Sequence, residues 1–194
     1  MGNRVEPIRS KKKIGEIKEM LLQKRKWRDY TLFVCGINFG LRIGDLLRLK
    51  IKDVVNSDRE IKNSFEIIEQ KTGKRNTIKI NQSARKAIEL LLEKTLVERK
   101  LGNYVIHNTY DYSKSISRVQ AYKLVRKWCR KVKIVEKAIG THTLRKTWGY
   151  HAHQEGISIS IIQAKYKHES VKTTHHYLGI EEKAVNAAYN KVNL

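Results

Sequence analysis

A single proline, Pro7, punctuates the 194 residues, and no Gly/Ser-rich or low-complexity tract interrupts them. Nothing is composed like a flexible linker, so the chain reads as one domain, long enough to bury a real core. What subdivides it is a change of apolar period. From residue 10 to about 26, Ile14, Ile17, Met20 and Leu21 recur at helical spacing among lysines, which predicts an amphipathic first helix with a basic outer face. A more apolar helix is expected over roughly 28–38. Gly40 and Gly44 then bracket Leu41-Arg42-Ile43, where the chain should turn sharply into a short helix over 45–49, placing Arg42 at a helix boundary.

Between about 51 and 80 the period shortens. Phe65-Glu66-Ile67-Ile68 and Thr77-Ile78-Lys79-Ile80 are strand-like, and Lys71-Thr72-Gly73-Lys74-Arg75 between them reads as a turn. Helical spacing returns over 82–100 (Ala84, Ala87, Ile88, Leu91, Leu92), followed by a loop-like stretch over 102–117 that ends at a potential cap, Ser117. Thr141 is expected to cap a helix running to 151, with shorter helices near 159–166, 171–177 and 181–191. The fold class implied is α+β, mainly α-helical with a small antiparallel β-sheet. Cys35 and Cys129 are solitary, each in an apolar helical stretch without zinc-ligand spacing, and read as core thiols.

Charge narrows the partner. Forty-one Lys and Arg against 19 Asp and Glu leave a net charge of +22, and such self-repulsion makes most sense beside a polyanion. Because 40% of the residues are hydrophobic, disorder does not explain the charge. The expected helix over 118–132 concentrates Lys123, Arg126, Lys127, Arg130 and Lys131 around Leu124, Val125 and Trp128. It reads as a surface for double-stranded DNA, the bland alternative being a solvated face. No apolar run approaches the length of a membrane span and the start is not a secretory signal, so the expected location is the cytoplasm, with no membrane partner.

Transesterification of a phosphodiester without metal needs donors for the nonbridging oxygens, a nucleophile, and an acid for the leaving oxygen. Two arginines, histidines, a lysine and a tyrosine suffice, and arginine suits the first task because its planar fork stays charged and donates twice. Four segments carry these residue types. Gly40-Leu41-Arg42-Ile43-Gly44-Asp45-Leu46-Leu47 resembles the first arginine motif of tyrosine recombinases, the phage integrase family, and Thr141-His142-Thr143-Leu144-Arg145-Lys146-Thr147 resembles their His-x-x-Arg motif. Tyr166-Lys167-His168-Glu169-Ser170 and Thr173-Thr174-His175-His176-Tyr177 resemble the block that ends in the nucleophile. His168 stands 26 residues after His142 and nine before Tyr177, the spacing the family usually has.

The resemblance, which runs from about residue 11 to the end of the chain, implies the catalytic-domain fold of that family and assigns roles. Arg42 and Arg145 would clamp the scissile phosphate, His142 and His168 would donate hydrogen bonds or assist proton transfer, and Tyr177 would attack phosphorus. Lys71 matches the lysine that protonates the leaving 5′-oxygen, with Lys74 held in reserve or contacting DNA. Asp45, three residues after Arg42, matches an acidic position that orients that arginine. No cofactor and no metal are implied; His168, His175 and His176 have no carboxylate or cysteine arrangement beside them. Two departures, Lys146 after Arg145 and Lys167 before His168, miss the principal positions.

Residues 1–10 are expected to be an extension and 11–194 the catalytic domain, without the separate core-binding domain that members usually carry. The alternatives weighed beside site-specific recombination are a type IB topoisomerase and a non-catalytic DNA-binding protein of the same fold. Assembly on DNA is expected to be a homotetramer, with a monomer in solution. Within 179–194, Ile180, Ala184, Val185, Ala188 and Val192 share one apolar face. The resemblance implies that this segment docks on a neighbouring protomer; folding back on its own domain is the other reading.

Overall fold

Ser10 accepts a hydrogen bond from the backbone N–H of Lys13 (3.2 Å). The amphipathic run it caps is α1 (Lys11–Gln23) in a computed structural model that describes residues 5–97, 100–134 and 138–178. The helix buries Ile17 and Leu21 and stops short of residue 26, because Arg25 turns left-handed at φ 51°. Next, α2 (Trp27–Phe39) buries Leu32, Phe33, Val34, Cys35 and Phe39, which makes it the apolar centre against which α1 and α5 (Gln82–Lys94) pack. It ends at Gly40, whose φ of 61° lies where a side chain is strained. That turn delivers Arg42 as the N-cap of α3 (Ile43–Leu47), which starts two residues earlier than its expected span.

The region with the shorter period holds a helix that the pattern did not predict, α4 (Ile51–Val54), before the expected hairpin of β1 (Ser64–Ile68) and β2 (Arg75–Lys79). The strands pair antiparallel from Ser64↔Lys79 to Ile68↔Arg75. Phe65 and Ile78 point to the core, where the Phe65 ring meets Phe39 edge-on at 5.3 Å, a contact worth about 0.5–1.5 kcal/mol beyond burial. Asn81 caps α5, and Arg85 on that helix donates to the carbonyls of Ile61 and Lys62 (2.7 and 3.1 Å), fastening the segment that leads into the sheet.

Ser117 caps α6 (Arg118–Lys131) as expected, in a reciprocal box with Gln120; such caps are worth about 1 kcal/mol. Ala121, Val125, Trp128 and Cys129 face the core. Thr141 does not act as the expected cap. It is already the first residue of α7 (Thr141–Gln154), and the N–H of Gly140 before it is taken by the Thr143 hydroxyl (3.1 Å).

The chain divides into two compact units, residues 1–148 and 149–194. All elements through the first half of α7 belong to the first. The described part of the second holds the end of α7, with half-buried His151 and His153, then α8 (Ile159–Tyr166) and α9 (Val171–Leu178), which pack on each other. The expected helix over 181–191 lies outside the described residues. Cys35 and Cys129 are both buried, neither in a disulfide.

Candidate active site

Two turns and a helix start bring the first unit's predicted residues together. Arg42, extended at the N-terminus of α3, is mostly buried, its side chain 19% exposed. Its Nη1 donates to Glu69, the residue that follows β1, whose carboxylate is fully buried. Lys71 is exposed in the turn that follows, closed by hydrogen bonds from Glu69 N to Lys74 O (3.1 Å) and from Gly73 N to Glu69 O (2.9 Å). His142 stands in the first turn of α7. With Gly44, Asp45, Gln70 and Arg118, the three side chains of Arg42, Lys71 and His142 line a pocket of about 450 Å³.

Arg145 lies behind them. It is 2% exposed and its Nη1 donates to the carbonyl of Gly40 (2.8 Å), one of the acceptors that the end of α2 leaves open and where the helix dipole favours a cation. Its charge reaches both Glu69 and His142. The protein packed around His142, then the charges of Arg145, Arg42, Lys146 and Lys71, hold that imidazole below its ordinary pKa, although the residue as a whole is solvent-exposed. Burial alone would raise the carboxyl of Glu69. Hydrogen bonds from Asn76 (2.7 Å) and Arg42, with the charges of both arginines, outweigh it and keep the group below the usual carboxylate range.

Asp45 requires a correction. Three residues after Arg42, its Oδ1 does not serve that guanidinium but accepts from Gln70 N and Arg48 Nη2, both at 3.0 Å. Arg42 is an N-cap with ψ 146°, so its side chain leaves the helical face on which Asp45 lies. Glu69 takes the role expected of Asp45. Nothing in the spacing marked it: the hairpin carries two acids, Glu66 and Glu69, and only burial distinguishes the second. Arg118 was also missed: it donates to Gln70 Oε1 (2.8 Å) across Gly44, where a Cβ would sit 2.5 Å from the guanidinium.

The second unit holds the other two predicted residues together. His168 and Tyr177 meet edge-on at 5.2 Å between ring centroids, and Tyr166, fully buried, contacts both rings at 5.1 and 5.3 Å. His168 Nδ1 lies 3.1 Å from the hydroxyl of buried Thr174. Tyr166 and Thr174 are further neighbours, to which the motifs assign no role. Lys74 is exposed at the end of the hairpin turn, outside the pocket lining. Lys123, Arg126, Lys127 and Arg130 are all exposed on α6, where Arg126 lies over the Tyr122 ring at 5.5 Å. No helix among the described residues is long and apolar enough to cross a membrane.

A family model described as the phage integrase family matches residues 10–183. The chain belongs to the phage integrase family. A relative within it, the probable integrase/recombinase YoeC of Bacillus subtilis, is 42% identical over 185 residues, which cover 95% of each chain. The tyrosine recombinase XerC of Thermodesulfovibrio yellowstonii is 26% identical over 84% of this chain. That match takes in 54% of XerC, so the chain spans about half the length of this relative. The crystal structure of XerH site-specific recombinase bound to palindromic difH substrate, a post-cleavage complex, superposes with a TM-score of 0.71. It shares 17% identity, over 97% of this chain and 54% of that one. At that identity the likeness shows the integrase-family fold alone, the mainly helical architecture with a small antiparallel sheet that the pattern of apolar periods predicted.

Proposed function

We propose that this chain carries the catalytic machinery of a site-specific DNA recombinase, within a catalytic domain over residues 11–194, which cleaves and rejoins duplex DNA through a bond between phosphorus and Tyr177. The observation that carries the reading is the convergence of Arg42, Lys71 and His142 on one pocket with the charge of Arg145 beside it. Family membership and the DNA-bound state of XerH support DNA as the substrate.

In this mechanism Arg42 and Arg145 neutralise the nonbridging oxygens, where charge develops as the phosphorus becomes five-coordinate. The Tyr177 oxygen forms the new bond to phosphorus, its proton passing to His168 or solvent, and the bond from phosphorus to the 5′-oxygen breaks. Lys71 gives a proton to that oxygen, with Lys74 as the reserve acid. His142, neutral at ordinary pH, donates a hydrogen bond to the phosphate. The products are a 3′-phosphotyrosyl link and a free 5′-hydroxyl, and attack by a new 5′-hydroxyl reverses each step without an external energy source. The protein's own cations supply the charge that a metal would otherwise bring, so the reaction is proposed to run without one. Recombination is proposed to need four copies on DNA, with Lys123, Arg126, Lys127 and Arg130 on its phosphates.

The test is incubation with a nicked suicide duplex, whose cut 5′ fragment diffuses away and traps the intermediate. A covalent protein–DNA band on a denaturing gel, undiminished by EDTA, is expected. Binding without a covalent band would leave a DNA-binding protein of the same fold. Relaxation of supercoils without strand exchange would mark a topoisomerase.

A further inference from the structure

We propose that Glu69 is a positioning residue that sets two of the pocket's cations at once, holding the guanidinium of Arg42 through its carboxylate and the turn that carries Lys71 through the rest of its contacts. This deepens the recombinase reading and rests on it. Glu69 is 0% exposed, and its carboxylate joins Arg42 in the pocket to the turn and to the opposite strand of the hairpin. Oε2 takes Arg42 Nη1 and the Thr72 hydroxyl (3.2 Å), while Oε1 takes Asn76 Nδ2 (2.7 Å) from the opposite strand. Its backbone closes the turn at both ends, accepting from Gly73 N and donating to Lys74 O. The next residue, Gln70, is anchored by its N–H to Asp45, so Lys71 follows two fixed residues and precedes one whose hydroxyl reaches Glu69.

This arrangement matters because the two cations have different needs. A guanidinium is a rigid fork, and fixing one N–H by a buried carboxylate orients the remaining donors for a phosphate. Lysine is a point charge on a flexible stem, so the position of its ammonium depends on where the turn is held. Proton delivery to a leaving oxygen is sensitive to misplacement on the scale of 1 Å, and one carboxylate constrains both groups to the same frame. Replacing Glu69 with glutamine keeps the size and the acceptor for Asn76. It places an amide N–H₂ opposite Arg42, where two donors face each other and the tie is lost.

The experiment compares wild type, Glu69→Gln and Thr72→Val in single-turnover adduct formation on two nicked duplexes, one ordinary and one with sulfur replacing the bridging 5′-oxygen at the scissile phosphate. A thiolate leaves without being protonated, so the sulfur duplex does not register the lysine's contribution. On the ordinary duplex Glu69→Gln is expected to be slower by about 10²-fold, the scale of one displaced phosphate donor, with duplex affinity unchanged. On the sulfur duplex its gap to wild type narrows by about tenfold, leaving the part that acts through Arg42. Thr72→Val removes one donor to Glu69 Oε2 and the acceptor for Lys74 N–H, which loosens the turn while leaving the Arg42 and Asn76 hydrogen bonds to the carboxylate in place. It is expected to slow the ordinary duplex alone, by up to about tenfold.

Glu69→Gln at wild-type rate overturns the proposal. So does a defect of equal size on both duplexes, the signature of lost folded protein, which lowers the active fraction for either substrate alike. Should Glu69→Gln not fold, Thr72→Val decides: a wild-type rate on the ordinary duplex breaks the link between Glu69 and the turn. A wild-type protein that gives no adduct on either duplex overturns the recombinase reading together with this one, whereas an active wild type beside a full-rate Glu69→Gln overturns this one alone.

Discussion

Arg42 and Arg145 are tied to acceptors embedded in the core, a carboxylate at 0% exposure and the carbonyl that ends α2, whereas Tyr177 sits on the eight-residue α9 among the rings of Tyr166 and His168. In the proposed mechanism the difference follows from what each group would have to do. Electrostatic stabilisation of a transition state is effective only when the charges are already in place, since any reorganisation at the moment of reaction subtracts from it. That places the arginines where core packing holds them still. A nucleophile needs its position at one step only, and a helix of two turns, marginal in isolation, is sufficient support for it. Substitutions in the first unit should therefore alter stability and chemistry together, while substitutions of the tyrosine should alter chemistry alone.

The largest expected effect is that of Tyr177→Phe, which should abolish the covalent band while leaving duplex affinity and melting temperature close to wild type. An adduct surviving in that variant would move the nucleophile elsewhere, to Tyr166 or Tyr189, and a large drop in melting temperature would break the contrast between the units. Arg145→Ala should lower the cleavage rate on the order of 10²–10³-fold. It also strands the Gly40 carbonyl, which should lower stability by about 1–3 kcal/mol, visible as a fall in melting temperature. Full stability in Arg145→Ala would show that the core does not depend on this anchor.

Smaller effects come from the surface. Replacing Lys123, Arg126, Lys127 and Arg130 with alanine should weaken non-specific duplex binding and flatten its dependence on salt, because fewer neutralised phosphates mean fewer counterions released. Unchanged slopes in a salt titration would make that face of α6 a solvated one. The smallest effect concerns pH. His107, buried, and His142 are both held below the ordinary histidine value of 6.5, chiefly by burial. The unfolded chain therefore binds protons first, so stability is full above pH 6.5 and declines as pH falls below it. His107→Gln should flatten that limb in denaturant titrations, and an identical limb would assign it to other groups.

Much of this was legible from residue pattern. The helical periods, the hairpin and the positions of Arg42, His142 and Arg145 follow from local rules, and the pocket gathers Arg42, Lys71 and His142 as the motifs imply. What the pattern did not contain is partner choice across the fold. Asp45 at i+3 reads as the partner of Arg42, yet the extended ψ of Arg42 separates them, and Glu69 arrives from the hairpin 27 residues away. α4 escaped because four residues show no period, and Thr141 because a cap and a first-turn threonine look alike until Gly140 finds the Thr143 hydroxyl.

The two cysteines have a practical consequence. Both thiols are buried, and burial drives the Cys35 thiol far above the ordinary thiol range, so little of its nucleophilic thiolate forms, while Cys129 is shielded by the core around it. The folded wild-type chain is thus expected to react slowly with maleimides. A cysteine placed at Tyr110, which is 96% exposed, would take a fluorophore against that slow background and report the arrival of labelled DNA by energy transfer, with no cysteine-free parent to build first.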